Sequence, residues 1–409
     1  MALIPELDNF SNNLRISFPM DFALPAELSR WQARVRQFVE AELQPHDAAI
    51  EETGRVPEEA LAGLRRIGLY GTNTPAEYGG LGLSMLGSCL AIEELAKAHA
   101  AFYYLSGVNV HIGSKPIEFG GSEAQKRRWL PELASGRVVA AFALTEADAG
   151  SDAARLATTA RRDGASYVLN GGKTYITNAH EAGLFTVFAT IDRTLGGKGI
   201  CAFLVEAGTP GLVVGRSIEM AAGRGSSHAE LSLKDCRVPA ANLLGGEGTG
   251  FALAMRCLDA GRTHWGAYCV GAAQRLLDLS VARASTRETF GRRLREHQGI
   301  EWMLADMASS VHAARLVAYE AAWRYDRGDA ADRTRAAAMS KLIGADMVQK
   351  VADAALQIFG GSGYSKDQPI ERIWRETRVV RILDGTSEMM RRIVARDLYR
   401  ASDRRNSRP

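Results

Sequence analysis

The sequence predicts a mostly helical α+β protein arranged as helices, then a sheet, then helices again. Three observations carry this. Up to about residue 137, apolar residues recur at three- and four-residue steps, the period of a helix with one buried face. Between about 138 and 247 they alternate, or run for short lengths between Gly, Asn and Asp, as half-buried strands do. From about 248 the helical period returns in long stretches. A chain of 409 residues exceeds one ordinary core. The expected organisation is an N-terminal extension over 1–24, an α-helical domain over 25–137, a middle β domain over 138–247, a C-terminal four-helix bundle over 248–400 and a tail over 401–409.

Taken in order, LSRWQARVRQFVEAEL, PEEALAGLRRIGLY and SMLGSCLAIEELAKAHAAF each read as a helix. Pro25 and Pro57 sit where first-turn prolines belong, and EYGGLGLS reads as a loop between helices. In the middle block, SYVLNGGKTYIT, LFTVFATI, ICAFLVEA, GLVVGRSI and HAELSLKDCRV read as strands of an antiparallel sheet, a small barrel or sandwich. The third block contains three long helical stretches, which short connections would fold into an antiparallel bundle. Near its end, RILDGTSEMMR places a strand-like Arg381-Ile382-Leu383 before Asp384, a Gly-Thr-Ser turn and a new helix. Locally, Asp-Gly opens turns and Thr or Ser caps helices. A carboxylate held at such a lip can also do chemistry, and residues elsewhere must decide between the two.

Composition excludes several classes. Hydrophobic residues make up 46% and charged ones 24%, as in soluble globular proteins. A formal net charge of +3 gives no electrostatic case for nucleic acid. Arg391, Arg392, Arg396, Arg400, Arg404, Arg405 and Arg408 read as a solvated helix face and tail. The five cysteines, Cys89, Cys201, Cys236, Cys257 and Cys269, show no paired spacing, which argues against disulfides and for a reducing compartment. The eight histidines never adopt a metal-ligand spacing, so no metal is expected. MALIPELDNFSNN lacks the pattern of a signal peptide, and no apolar run approaches the roughly 20 residues that cross a bilayer. A cytoplasmic protein without membrane contact is expected.

A dinucleotide-binding GxGxxG between strand and helix is also missing: GGEGTG at 245–250 and GGSGYS at 360–365 match neither spacing nor context. The glycines retain local uses. Gly385, Thr386 and Ser387 put free backbone N–H groups at a helix start, suited to a phosphate. Gly360, Gly361 and Gly363 follow the helix ending at Phe359, either as ordinary C-capping or to let another group approach the backbone.

Five segments taken together resemble the acyl-CoA dehydrogenase family of flavoproteins, over about residues 24–398. AFALTEADAGSD at 141–152 is similar to the family's first signature and QIFGGSGYSKDQPIERIWRE at 357–376 to its second. KTYITN, RETFGRRLREHQGIEWMLADM and RILDGTSEMMR follow the family's order. The resemblance implies FAD. Phe142, Leu144 and Thr145 match residues lining the flavin's pyrimidine side, with Gly150 and Ser151 on the same loop and Ser151 also meeting the substrate's CoA portion. Tyr175, Ile176 and Thr177 match the strand behind the isoalloxazine, where an aromatic can stack and exclude water. Arg287, Thr289, Phe290, His297 and Gln298 match the stretch contacting the FAD adenosine and pyrophosphate. In the family that stretch, with Gln357, Gly360 and Gly361, reaches across from a neighbouring subunit, which implies a homo-oligomer, usually a tetramer built as a dimer of dimers. Thr386, Ser387 and Glu388 complete the phosphate and ribose contacts, while Asp259, Arg262 and Gly385 match substrate-side positions.

Making a double bond beside a thioester requires a base for the α-proton and a hydride acceptor for the β-hydrogen. The thioester oxygen gathers charge and needs donors aimed at it. The resemblance implies that the residue before Gly-Thr-Ser is the base, here Asp384 in place of the usual glutamate. Aspartate has similar intrinsic acidity but about 1.5 Å less reach. Some members carry the glutamate on another helix, at the position of Gly261 before Arg262, so no substitute base stands there. Other departures are Ala147 for proline, Asp148 for glycine, Arg155 for a small residue and Tyr175 for tryptophan. The expected activity is FAD-dependent dehydrogenation of a short, branched or cyclic acyl-CoA, with electrons passed to an electron-transfer flavoprotein. The alternatives are a flavin oxidase of the same fold acting on a small carbon acid such as a nitroalkane, a dehydrogenase of carrier-protein-bound acyl groups, and a binding relative whose aspartate does not reach. Acyl length is set by helix residues around Leu95–Ser106 and Met255–Tyr268.

Overall fold

A computed structural model describes residues 23–406. The expected extension, up to residue 22, and the last three residues of the expected tail lie outside them. Helices α1 (Ala26–Phe38), α2 (Asp47–Thr53), α3 (Glu58–Ile67) and α4 (Met85–Leu95) open the chain. Pro25 and Pro57 stand one residue ahead of the first turn, as N-caps. Their fixed φ suits that place and their missing N–H costs nothing there. The stretch expected as one helix to Phe102 breaks after Leu95. A new helix, α5 (Ala100–Phe102), starts at His99, whose Nδ1 accepts the Ala101 N–H at 3.2 Å while its own N–H donates to Asp47. Wide π-type turns follow at Tyr103–Gly107 and Asn109–Gly113, then α6 (Lys115–Gly120) and α7 (Glu123–Ala134).

The middle block is one eight-stranded sheet, β1 (Val139–Ala143), β2 (Thr159–Asp163), β3 (Ser166–Thr177), β4 (Ala182–Thr190), β5 (Ile200–Glu206), β6 (Leu212–Ser217), β7 (His228–Pro239) and β8 (Leu243–Leu244). It is mostly antiparallel; β1 and β2 pair with β4 in parallel. The ladder of β3 with β7 slips between Lys173 and Ile176. That bulge turns Tyr175 outward at φ 56° and leaves it 57% exposed.

The third block is helical: α8 (Gly250–Thr286), α9 (Gln298–Arg327), α10 (Ala330–Phe359), α11 (Pro369–Arg378) and α12 (Ser387–Asn406). A two-stranded ribbon, β9 (Glu288–Thr289) and β10 (Arg292–Arg293), links α8 to α9. Helix α8, with 37 residues, runs about 55 Å. Its first two-thirds is buried against α4 and α10, joining the first and third blocks into one apolar core. A second core lies inside the sheet, around Phe185, Val187 and Phe203. The run Arg381-Ile382-Leu383 is not a strand. A 3₁₀ turn (Val379–Arg381) leads straight into Asp384, because the carbonyls that a strand would pair sideways are taken from within by side chains.

Candidate active site at the junction of the three blocks

Asp384 sits in the left-handed region at φ 49°, which aspartate tolerates better than most residues. Gly385 follows at φ 93°, where a Cβ would lie 2.8 Å from Met390 Cε, so this position requires glycine. Two cations hold the turn. Lys341, from α10, donates to the carbonyls of Leu383 at 2.7 Å and Gly385 at 2.5 Å. Arg262, from α8, donates from Nε to the Asp384 carbonyl at 3.1 Å and pairs with Asp259 at 2.9 Å. Thr334 in turn donates to the other Asp259 oxygen. The Asp384 carboxylate accepts the indole N–H of Trp265 at 2.8 Å.

Burial pushes the Asp384 carboxyl above the usual carboxylate range, against the Trp265 hydrogen bond and the charges of Lys341 and Arg262. Burial also lowers Lys341 to about 8, with Asp384 opposing. Asp259 is raised, again by burial, despite Arg262. A carboxyl raised in this way is more basic than a free aspartate, the direction a general base needs. A Cβ at Gly261 would stand 3.1 Å from Asp384 Oδ2 and 3.4 Å from His111. Asp384, the expected base, and Gly261, where the sequence offers no substitute base, therefore face the same space, and a side chain at 261 would occupy it.

Behind the carboxylate, Trp265 packs among Tyr103, Tyr104 and Tyr268 at ring-centroid distances of 4.7, 6.2 and 5.2 Å. Tyr104 also meets His228 edge-on, and its carbonyl accepts from Asn178. His228 pairs across the ladder with Thr177, so the end of β3 arrives beside the aromatic cluster. On the same side, Leu144 and Thr145 follow β1. The Thr174 N–H donates to the Thr145 carbonyl, and Lys173 donates to that of Leu144. Lys173 is also paired with buried Glu146 at 2.7 Å, which takes the N–H groups of Ala157 and Thr158 and so ties down the loop carrying Gly150 and Ser151. Burial lowers Lys173 to about 8, with Glu146 opposing. Leu144 and Ile176 are buried in the cores on either side of this junction, while Tyr175 projects from the end of β3.

Arg287, Thr289, Phe290, His297 and Gln298 lie elsewhere, at the ribbon beyond the far end of α8. Gly261 and Arg287 are 26 positions apart, or about 39 Å along a helix. Gln357, Gly360 and Gly361 belong to this far group, since Ser362 beside them accepts from Arg283 of α8. The two groups of residues expected from the sequence thus stand apart within one chain. Phe290 is 94% exposed, and a Cβ at Gly291, Gly360 or Gly361 would meet nothing within 4 Å. At the near group, the Ser387 hydroxyl is buried without a partner. Open glycine backbone, a projecting aromatic and a buried unpartnered hydroxyl are features that suit a flat, phosphate-bearing cofactor.

Sequence reasoning does not find Lys341 or His111, and it includes Tyr103 and Trp265 only within the stretches Leu95–Ser106 and Met255–Tyr268 expected to line the acyl pocket. For Trp265 a signal exists in its place four residues after Gly261, on the same face of α8. A cluster that resembles a metal site is Glu51, His99 and Glu376, whose ligand atoms lie within 4.8 Å of one another. Arg375 and Arg372 already pair with its carboxylates at 2.8 and 3.1 Å, and the His99 Nδ1 lone pair is taken by a backbone N–H. It is an ion-pair network joining α2, α5 and α11.

The helix–sheet–helix frame is that of flavin-dependent dehydrogenases. The chain matches the acyl-CoA dehydrogenase N-terminal domain over residues 25–137, the middle domain over 141–236 and the C-terminal domain over 248–399. A probable acyl-CoA dehydrogenase of Mycobacterium tuberculosis is 39% identical over 379 residues, covering 93% of this chain and 97% of that protein. The solved butyryl-CoA dehydrogenase of Megasphaera elsdenii superposes with a TM-score of 0.90 at 36% identity, covering 93% of this chain and all of the other. A chain from structural work on the electron-transferring flavoprotein of Acidaminococcus fermentans does so at 0.90 and 38% identity, covering 93% and 99%. The chain belongs to the acyl-CoA dehydrogenase family and is an FAD-dependent oxidoreductase. No helix among the described residues is long and apolar enough to cross a membrane.

Proposed function

We propose that the protein catalyses α,β-dehydrogenation of a short acyl-CoA thioester, with Asp384 as the base that removes the α-proton. The observation that carries this is the clamped carboxylate: its turn is fixed by Lys341 and Arg262, Oδ2 is held by Trp265, and Gly261 leaves the space beside that oxygen bare. Bound FAD supplies the acceptor for the β-hydride. The chain's residues do the rest. The Asp384 and Gly385 backbone lies beside the reacting end of the thioester, where an N–H can meet the oxygen that gathers charge. Arg262 and Asp259 hold that end in register, and Ser151 meets the CoA portion. The ring wall of Trp265, Tyr103 and Tyr104 stands close behind the base and favours short acyl groups, in keeping with the butyryl-CoA enzyme among the similar structures.

The cofactor-facing roles follow the two groups of residues. Phe142, Leu144, Thr145, Gly150, Ser151, Tyr175, Ile176 and Thr177, with Thr386, Ser387 and Glu388, would hold the ring and phosphate side. Arg287, Thr289, Phe290, His297, Gln298, Gln357, Gly360 and Gly361 of a second copy would hold the adenosine side, because about 39 Å of helix separates the groups within one chain. On this reading FAD lies between subunits of a homo-oligomer, a dimer of dimers. Electrons leave to an electron-transfer flavoprotein. The test is anaerobic mixing of the yellow protein with a panel of acyl-CoAs while visible absorbance is followed. Bleaching by short thioesters, lost in Asp384→Asn, is expected; an unbleached flavin with every thioester would refute the proposal.

A further inference from the structure

Lys341 and Arg262 clamp the base turn, but their donors go to the backbone carbonyls of residues 383–385. Among the described residues, the carboxylate itself receives one hydrogen bond, from Trp265 Nε1 to Oδ2 at 2.8 Å. Trp265 is 2% exposed and wedged edge-on against Tyr103, with Tyr268 on another side, so its indole cannot swing away. It lies one helical turn from Gly261, on the α8 face that meets Asp384. We infer that Trp265 is the positioning residue of the reaction: its N–H fixes Oδ2 of the short aspartate, leaving the other oxygen free to take the substrate's proton.

Aspartate has one torsion fewer than glutamate and less reach, so its orientation decides whether a lone pair points at the α-carbon. A rigid donor at one oxygen supplies that orientation before substrate arrives. It also favours the charged carboxylate over the acid. The titratable groups that act on Asp384 are Arg262 on α8, Lys341 on α10, and Tyr103 and Tyr104 in the π turns; one step further out, Asp259 faces Arg262, Glu388 on α12 acts on Lys341, and His264 packs on His111. His264 and His111 are held neutral by burial, so neither adds a charge near neutral pH.

The inference rests on Asp384 being the base, and the experiment separates the two. Trp265→Phe keeps the ring and removes the N–H. In the holoenzyme, anaerobic flavin reduction by butyryl-CoA should slow about 10-fold or more, as the loss of a hydrogen bond to a charged group implies. The thioester dissociation constant should stay put, and the acid limb of the rate profile should move to higher pH. An unchanged rate and limb would overturn the inference. A structural role alone would lower the melting temperature without moving the limb. The second measurement needs no turnover. In holoenzyme labelled with 5-fluorotryptophan, the Trp265 resonance, assigned by its absence in Trp265→Phe or Trp265→Tyr, should titrate with pH and cease to do so in Asp384→Asn. A resonance indifferent to Asp384 would overturn the inference, and if neither substitution folds, so would the finding that none of the six tryptophan resonances titrates in wild type and ceases to do so in Asp384→Asn. If Asp384→Asn reduces its flavin at the wild-type rate, the base assignment falls and Trp265 loses its role with it.

Discussion

Restoring the family's usual base by Asp384→Glu gives opposite expectations from sequence and from structure. Reach alone predicts a faster enzyme, since glutamate regains about 1.5 Å. The geometry predicts the reverse. Asp384 Oδ2 already lies 2.8 Å from the Trp265 nitrogen, and Tyr103 and Tyr268 leave that indole no retreat. An inserted methylene must turn the carboxylate toward Gly261, where even a Cβ would come within 3.1 Å of the present oxygen. Overpacking of this kind costs about 1–3 kcal/mol. A base displaced by about 1 Å loses about 100-fold in rate. The assay is stopped-flow reduction of the flavin by butyryl-CoA, with urea unfolding in parallel. Trp265→Leu in the same chain makes room and should return part of both losses. An Asp384→Glu enzyme that is as stable as wild type and reduces its flavin faster would refute this account of the pocket.

Three further outcomes follow from the same geometry. Gly261→Ala should leave stability within about 1 kcal/mol, because helix propensity gained offsets tight contact, yet slow flavin reduction about 10-fold by crowding the base; thermal melts and stopped-flow check the two halves. Lys341→Met leaves the Leu383 and Gly385 carbonyls without their donor, at about 1–3 kcal/mol each, partly offset by removing a charge that burial disfavours. It also removes a charge that favours ionised Asp384, so the acid limb of the rate profile should rise. Glu51 is held at about 2: burial opposes its charge, but His99 and Arg375 outweigh it. A depressed carboxylate contributes stability above its unfolded value of about 4.3 and loses it as pH falls toward 2. Glu51→Gln should therefore flatten the acid side of the unfolding midpoint against pH, measured by chemical denaturation.

Much of this architecture is legible locally. Period and composition place the helices and the sheet, because a helix buries one stripe and a strand one face whatever its partner is. Asp384 is also legible, as an aspartate before Gly-Thr-Ser in a chain whose other segments fit a flavin site. Local pattern fails where backbone groups are satisfied from afar. Arg381-Ile382-Leu383 is apolar enough for a strand, but Lys341 takes the Leu383 carbonyl and the chain turns. The third helix reads as continuous to Phe102, but Asp47 takes the His99 N–H and a new helix begins there. Each of those partners is distant in sequence.

The sequence by itself determined the helix–sheet–helix order, the carboxylate and the bare glycine at 261, since residue type and spacing express these directly. Only the tertiary structure decided what the carboxylate faces. Trp265 lies 119 residues before Asp384 and Lys341 lies 42–44 residues from the carbonyls it holds, so their meeting depends on how α8 and α10 cross beneath one turn. The same packing decided that the residues around Asp384 and those near Arg287 stand apart, because a helix of about 55 Å separates its ends whatever their chemistry.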